Sequence, residues 1–99
     1  MAKGYWIAHV DIEDMDEYKK YVEGNAKAFA KYGGRFLVRG GQFQVPEGSS
    51  RSRHVVLEFD SYQQAVDCYN SEEYQSVIPI RARANVSVGD FVIIEGYDG

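Results

Sequence analysis

The sequence predicts an α+β fold, with a four-stranded antiparallel sheet covered by helices on one face. Two observations lead to it. Short runs of aromatic and β-branched residues with period two are interleaved with segments whose apolar residues recur at helical spacing. Their order is strand, helix, strand, strand, helix, strand. That order is the split βαβ pattern, which puts both helices on the same side of the sheet.

Tyr5 to Val10 reads as the first strand and Asp11 to Asp14 as a turn. Asp14 is placed to cap a helix, with Glu17 three residues on as in a capping box. The helix runs over Met15 to Tyr32. Its stripe is Met15, Tyr18, Val22 and Phe29, widened by Tyr21, Ala26 and Ala30, with Lys19, Lys20, Lys27 and Lys31 off it. Gly33-Gly34 ends it, since glycine takes the left-handed conformation freely. Arg35 to Arg39 is the second strand, with a bulge or bend expected at Gly40-Gly41 and an extension over Gln42 to Val45. Pro46 to Ser52 is a polar, loose hairpin loop, and Arg53 to Phe59 the third strand. Ser61 caps a helix over Tyr62 to Tyr69 and Ser71 caps a further turn. Pro79 prevents one long second helix. Asp90 to Glu95 is the last strand. The arrangement is ferredoxin-like, βαββαβ, in a single domain over residues 1–99.

The net charge of −4 and pI of about 5.1 argue against nucleic acid as a partner. Arginines can still gather around a small anion. Eight of the aromatic residues are tyrosines, which suit interfaces and pocket mouths, apolar at one end and wet at the other. Cys68 is the only cysteine, so no internal disulfide forms and a reducing compartment fits. The first residues do not read as a signal peptide, and no run approaches the roughly 18 apolar residues of a membrane span. The expectation is a cytoplasmic protein with no membrane partner.

Side chains alternate across a strand. One register collects Trp6, Ala8, Val10, Phe36, Val38, Val55, Leu57, Phe59, Val92 and Ile94, none charged, and is expected under the helices. The other collects Tyr5, Ile7, His9, Arg35, Leu37, Arg39, His54, Val56, Glu58, Phe91, Ile93 and Glu95. This second face would expose an apolar patch large enough to call for a partner. A two-fold homodimer that presses these faces together buries it. Ionisable groups at the strand ends must then be paired or line wet pockets at the margins.

Three stretches resemble the family catalogued as domain of unknown function thirteen-thirty: Lys3-Gly4-Tyr5-Trp6-Ile7-Ala8, Tyr32-Gly33-Gly34-Arg35-Phe36-Leu37-Val38-Arg39-Gly40-Gly41 and Tyr69-Asn70-Ser71-Glu72-Glu73-Tyr74. The resemblance covers nearly the whole chain. It implies the dimeric α/β-barrel superfamily, in which two ferredoxin-like sheets face each other. That superfamily includes cofactor-independent monooxygenases, isomerases, haem-dependent enzymes and ligand sensors, so it implies no single function. The motif positions carried over are Arg39, Gly40, Gly41, Glu58, Tyr69, Ser71 and Tyr74. Cys68 and Glu72 stand where members of this type often carry Trp and Pro.

His9 and Glu58 are the candidate catalytic residues, both for proton transfer. Each has a structural reading beside it: a histidine hydrogen-bonded in an interface, and a counter-ion for Arg39. Arg39, before a double glycine, suits the carboxylate or phosphate of a ligand or a cross-strand pair with Glu58. Tyr69 and Tyr74 are candidate donors into a pocket, at least one of them being core by its spacing, and Arg81 is within reach of a pocket anion. Ser71 reads as a cap and Cys68 as buried and inert. No metal-ligand spacing, phosphate loop or nucleophile elbow is present, and no cofactor is called for. The expected function is a cofactor-independent enzyme acting on a small organic acid or aromatic compound. A non-catalytic small-molecule binding module or a purely structural homodimer are the alternatives.

Overall fold

The order along the chain is β1 (Gly4–Ile12), α1 (Met15–Tyr32), β2 (Arg35–Arg39), β3 (Arg53–Phe59), α2 (Tyr62–Asn70), α3 (Glu72–Gln75), α4 (Ile78–Ala82) and β4 (Ser87–Glu95), in a computed structural model that describes residues 2–98. The strands form one antiparallel sheet in the order β2-β3-β1-β4. This is the ferredoxin-like topology expected. It places β1 at the centre beside β3 and β4, and leaves β2 at an edge.

Helix α1 starts where Asp14 accepts the amide of Glu17 at 3.2 Å. The reciprocal half of the capping box does not form, because the Glu17 carboxylate holds Lys20 at 3.0 Å and Arg83 at 2.8 Å instead. The helix ends at Gly33, whose φ of 73° is the left-handed cap. Its buried face is Tyr18, Tyr21, Asn25, Ala28 and Phe29. Met15, Ala26 and Ala30, expected in the stripe, are exposed. The predicted break in the second helical region is present. Ser71 ends α2 and caps α3, its hydroxyl donating to the Cys68 carbonyl at 2.6 Å and accepting from the Tyr74 amide at 3.2 Å.

Trp6 is the centre of the core. It reaches Phe29, Tyr74 and Phe91 with ring centroids 5.2, 4.9 and 4.9 Å apart. Its Nε1–H, which would otherwise be an unpaired buried donor, donates to the Ala65 carbonyl at 2.9 Å.

Two registers differ from expectation. In β4, Phe91 pairs with Ala8 and Ile93 with Trp6, so these two lie under the helices. Val92 and Ile94 point outward, 53% and 49% exposed. The run Phe-Val-Ile-Ile is apolar at every position, so alternation cannot choose its face. Cross-strand pairing with Trp6 decides it. In β2 the bulge falls at Leu37, between Phe36 and Val38, ahead of the expected Gly40-Gly41. One extra residue reverses the facing of everything after it. Val38 turns outward opposite Val56, and Arg39 turns to the helix side opposite Val55. The glycines, at φ 75° and 104°, make a bend instead. Gln42 to Val45 do not extend the strand. The expected loose loop is tied down by Arg51, which holds Asp11 at 3.2 Å and Asp90 at 3.0 Å.

Candidate functional site

Between α1 and the sheet lies a cavity of about 120 Å³. Its floor is Trp6, Ala8, Val10, Val55 and Phe91 from the strands, and its roof is Tyr18, Tyr21, Val22, Asn25 and Phe29 from α1. Arg39, Arg53 and Arg81 complete the wall. Arg39 is exposed and marks the open end, its guanidinium 4.6 Å over the ring of Phe36.

The arginines divide into two sets. Arg35, Arg51 and Arg83 each hold a carboxylate. Arg39, Arg53 and Arg81 hold none among the described residues, and these are the three that line the cavity. The Nε of Arg53 is buried with no hydrogen-bond partner. Asn25, 6% exposed in the roof, has an amide that can both donate and accept. Burial in the roof pushes the Tyr18 hydroxyl up to about 12, so it stays a protonated donor. Burial raises Tyr74 further. The Tyr74 hydroxyl lies 2.7 Å from that of Tyr21 and takes Arg81 from behind. The cavity is therefore apolar in its body and rich in donors around it.

The other predicted residues fall elsewhere. His9 faces the opposite side of the sheet, where Nδ1 accepts from the Arg51 amide at 3.2 Å and Nε2 lies 3.1 Å from Asp90. His9 and Asp90 also adjoin the cavity. Glu58 also faces outward, bound by Arg35 at 3.0 Å and the Tyr5 hydroxyl at 3.0 Å. Those two bonds, that of Arg35 first, hold its carboxyl below the ordinary carboxylate value. The expected Arg39–Glu58 pair does not form, because the Leu37 bulge puts the two on opposite faces. Tyr69 packs on Phe91 and Tyr74, ring centroids 5.5 Å from each, and does not line the cavity. Tyr74 is core, one shell behind Tyr21. This cavity lies on the helix side of the sheet, away from the outer-face margins where the polar pockets of a dimer are expected.

Arg53, Asn25, Tyr18 and Tyr21 line this cavity and are not among the candidates that the sequence singles out. Two signals were available. Arg53 has the same parity as Val55, Leu57 and Phe59, so it is a charge on the otherwise uncharged face. Asn25 is a polar residue within the apolar stripe of α1.

Cys68 is buried and free, its thiol pushed up to about 12 by burial. Among the described residues no group of three or more His, Cys, Asp or Glu is placed to hold a metal ion. No helix there is long and apolar enough to cross a membrane.

Residues 3–97 match the family model described as "Domain of unknown function (DUF1330)". Comparison with curated proteins yields no match. Among solved structures, the chain resembles the RPA0582 protein of unknown function from Rhodopseudomonas palustris, with TM-score 0.75, 12% identity, and 99% of this chain and 85% of that one covered. It also resembles SnoaB, a cofactor-independent oxygenase from Streptomyces nogalater, with TM-score 0.62, 10% identity and coverage of 100% and 97%. A dimeric ferredoxin-like protein of unknown function from Thermobifida fusca gives TM-score 0.51, 14% identity and coverage of 95% and 89%. At these identities the likeness is one of fold.

Proposed function

The chain belongs to the DUF1330 family, and from that premise we propose that it binds a small organic acid in the cavity between α1 and the sheet. The single observation that carries this is the sorting of the arginines, with all three that lack a carboxylate facing one cavity. A guanidinium beside a dry wall favours a carboxylate that accepts two parallel hydrogen bonds. The size supports one ring or a short chain as the apolar body, since an apolar cavity of roughly 150 Å³ takes up benzene.

The proposal includes a homodimer. Ile7, Leu37, Val92 and Ile94 are exposed on the outer face, and a second copy of the same face would cover them. The ionisable groups of that face are already paired, His9 with Asp90 and Glu58 with Arg35, which lowers the cost of covering them. The dimeric description of one structural neighbour supports the same reading. Light scattering on Val92→Asp tests it: the variant is expected to be a folded monomer, and a wild-type monomer at micromolar concentration would refute the pairing. The lone cysteine supports a cytoplasmic setting.

A cofactor-independent enzyme acting on such an acid is the second reading. It is favoured by the buried phenol of Tyr21 in the cavity wall, backed by that of Tyr74, which can hold a proton beside a bound anion. Proton transfer by His9 or Glu58 belongs to a different place, the outer face, and would need the second copy to complete a site. Titration calorimetry with benzoate, and turnover followed by proton NMR of the mixture, separate these readings. Arg53→Met is expected to weaken benzoate binding by about 1.5–3 kcal/mol, roughly 10- to 150-fold. His9→Ala and Glu58→Gln should leave that affinity unchanged. Loss of binding in the outer-face variants but not in Arg53→Met would place the site on the wrong side of the sheet.

A further inference from the structure

We infer that Tyr21 is the directed hydrogen-bond donor of the cavity, and that the acid it recognises carries a second oxygen acceptor, a hydroxyl or carbonyl, apart from its carboxylate. This rests on the cavity being a site for organic acids and adds a chemical class to that reading.

The reason is a count of protons on two buried phenols. The hydroxyl oxygens of Tyr21 and Tyr74 are 2.7 Å apart, and the residues are 8% and 0% exposed. Each hydroxyl has one hydrogen and two lone pairs. Arg81 approaches the Tyr74 oxygen with Nε and Nη2, both at 3.4 Å. A guanidinium only donates, so Tyr74 is the acceptor in those contacts. Among the described residues the sole acceptor in reach of the Tyr74 hydrogen is the Tyr21 oxygen. If Tyr21 donated to Tyr74 instead, the Tyr74 proton would be sealed in the core with nothing to receive it. Buried donors are very seldom left so. The chain therefore runs from Arg81 to Tyr74 to Tyr21, and the Tyr21 hydrogen is left over.

The cavity is the open side for that hydrogen. Tyr21 lines the cavity and Tyr74 does not. The Arg81 guanidinium also lies 5.5 Å over the Tyr21 ring, holding the ring from the side. The open end of the cavity carries Arg39, so a ligand's carboxylate sits outward and its second oxygen sits inward at Tyr21. Tyr21 is then a binding residue, and Tyr74 and Arg81 position it.

The test compares benzoate with 3-hydroxybenzoate and 4-hydroxybenzoate by titration calorimetry on the wild type, Tyr21→Phe and Tyr74→Phe. At least one hydroxybenzoate is expected to bind the wild type about fivefold tighter than benzoate, the worth of one neutral hydrogen bond. Tyr21→Phe should abolish that preference, bringing the hydroxybenzoates to the affinity of benzoate in the same variant. Tyr74→Phe should reduce the ratio of hydroxybenzoate to benzoate affinity, a ratio that a merely structural tyrosine would not move. If benzoate binds and the preference is absent, or survives in Tyr21→Phe, the inference is overturned while the organic-acid reading stands. If none of the three acids binds the wild type, both fall.

Discussion

Replacing Arg53 with methionine should make the free protein more stable and the ligand-binding protein worse. Arg53 sits in β3 opposite Val10, on the face covered by α1. Its Nε is buried without an acceptor, and it shares one cavity with Arg39 and Arg81. A buried donor left unsatisfied costs about 1–3 kcal/mol, and the like charges of three guanidiniums add to that. Methionine keeps an unbranched stem of similar length and fills irregular space. The packing lost is small, so the net gain is about 1 kcal/mol. For a domain near 100 residues this raises the melting temperature by about 4–8 °C. The assay is thermal unfolding by circular dichroism, without ligand and with saturating benzoate. The unliganded variant should melt higher than the wild type. Added benzoate should raise the wild type's melting temperature and raise the variant's by much less. Because most core substitutions destabilise by about 1 kcal/mol, the sign is informative. A variant that melts several degrees lower and responds to benzoate as fully as the wild type would show that Arg53 holds the fold together and does not await a ligand.

Deleting Leu37 should remove the bulge and keep Val38 opposite Val56 and Arg39 opposite Val55, since Leu37 is the unpaired extra residue. The expected product has a wild-type circular dichroism spectrum and unaltered benzoate binding; lost binding would show that the bulge itself is needed to aim Arg39. Cys68 should be inert to a disulfide reagent at pH 8 in the native protein and react once in guanidinium, because burial raises its thiol to about 12; rapid native labelling would contradict its burial. The hydrogen bond and charge of Arg51, with a smaller contribution from His9, hold the Asp90 carboxyl below its ordinary value. A lowered folded value means stability present above the unfolded pKa, about 3.9, and lost as pH falls through the folded one. Arg51→Ala should therefore move the Asp90 titration upward by carbon NMR and shrink the loss of stability below pH 4. An unmoved titration would sink that attribution.

The topology was legible because it depends on local signals. Asp14, Ser61 and Ser71 are caps as their side chains and positions announce, and Gly33 ends α1 for the reason glycine usually does. The boundaries of α1, β2 and β3 follow from these marks and from the change of hydrophobic period. The site was much less legible. Arg39 and Arg81 stand out in the sequence, but plain alternation puts Arg39 on the outer face, and Arg53 reads only as a charge at the end of its strand. His9 and Glu58 attracted notice through their chemistry alone, whereas the structure binds both to neighbours on the outer face.

By itself, then, the sequence determined the element order, the two-faced sheet and the surplus of apolar residues on both faces. These rest on periodicity and capping, which involve residues a few positions apart. Only the tertiary structure decided which side of the sheet holds the cavity. Where every residue of a strand segment is apolar, as in Phe36 to Val38 and Phe91 to Ile94, alternation carries no information. Facing is then set by how the strand pairs with its neighbour, and one bulged residue, Leu37, is enough to carry Arg39 from an outer surface to the mouth of a cavity.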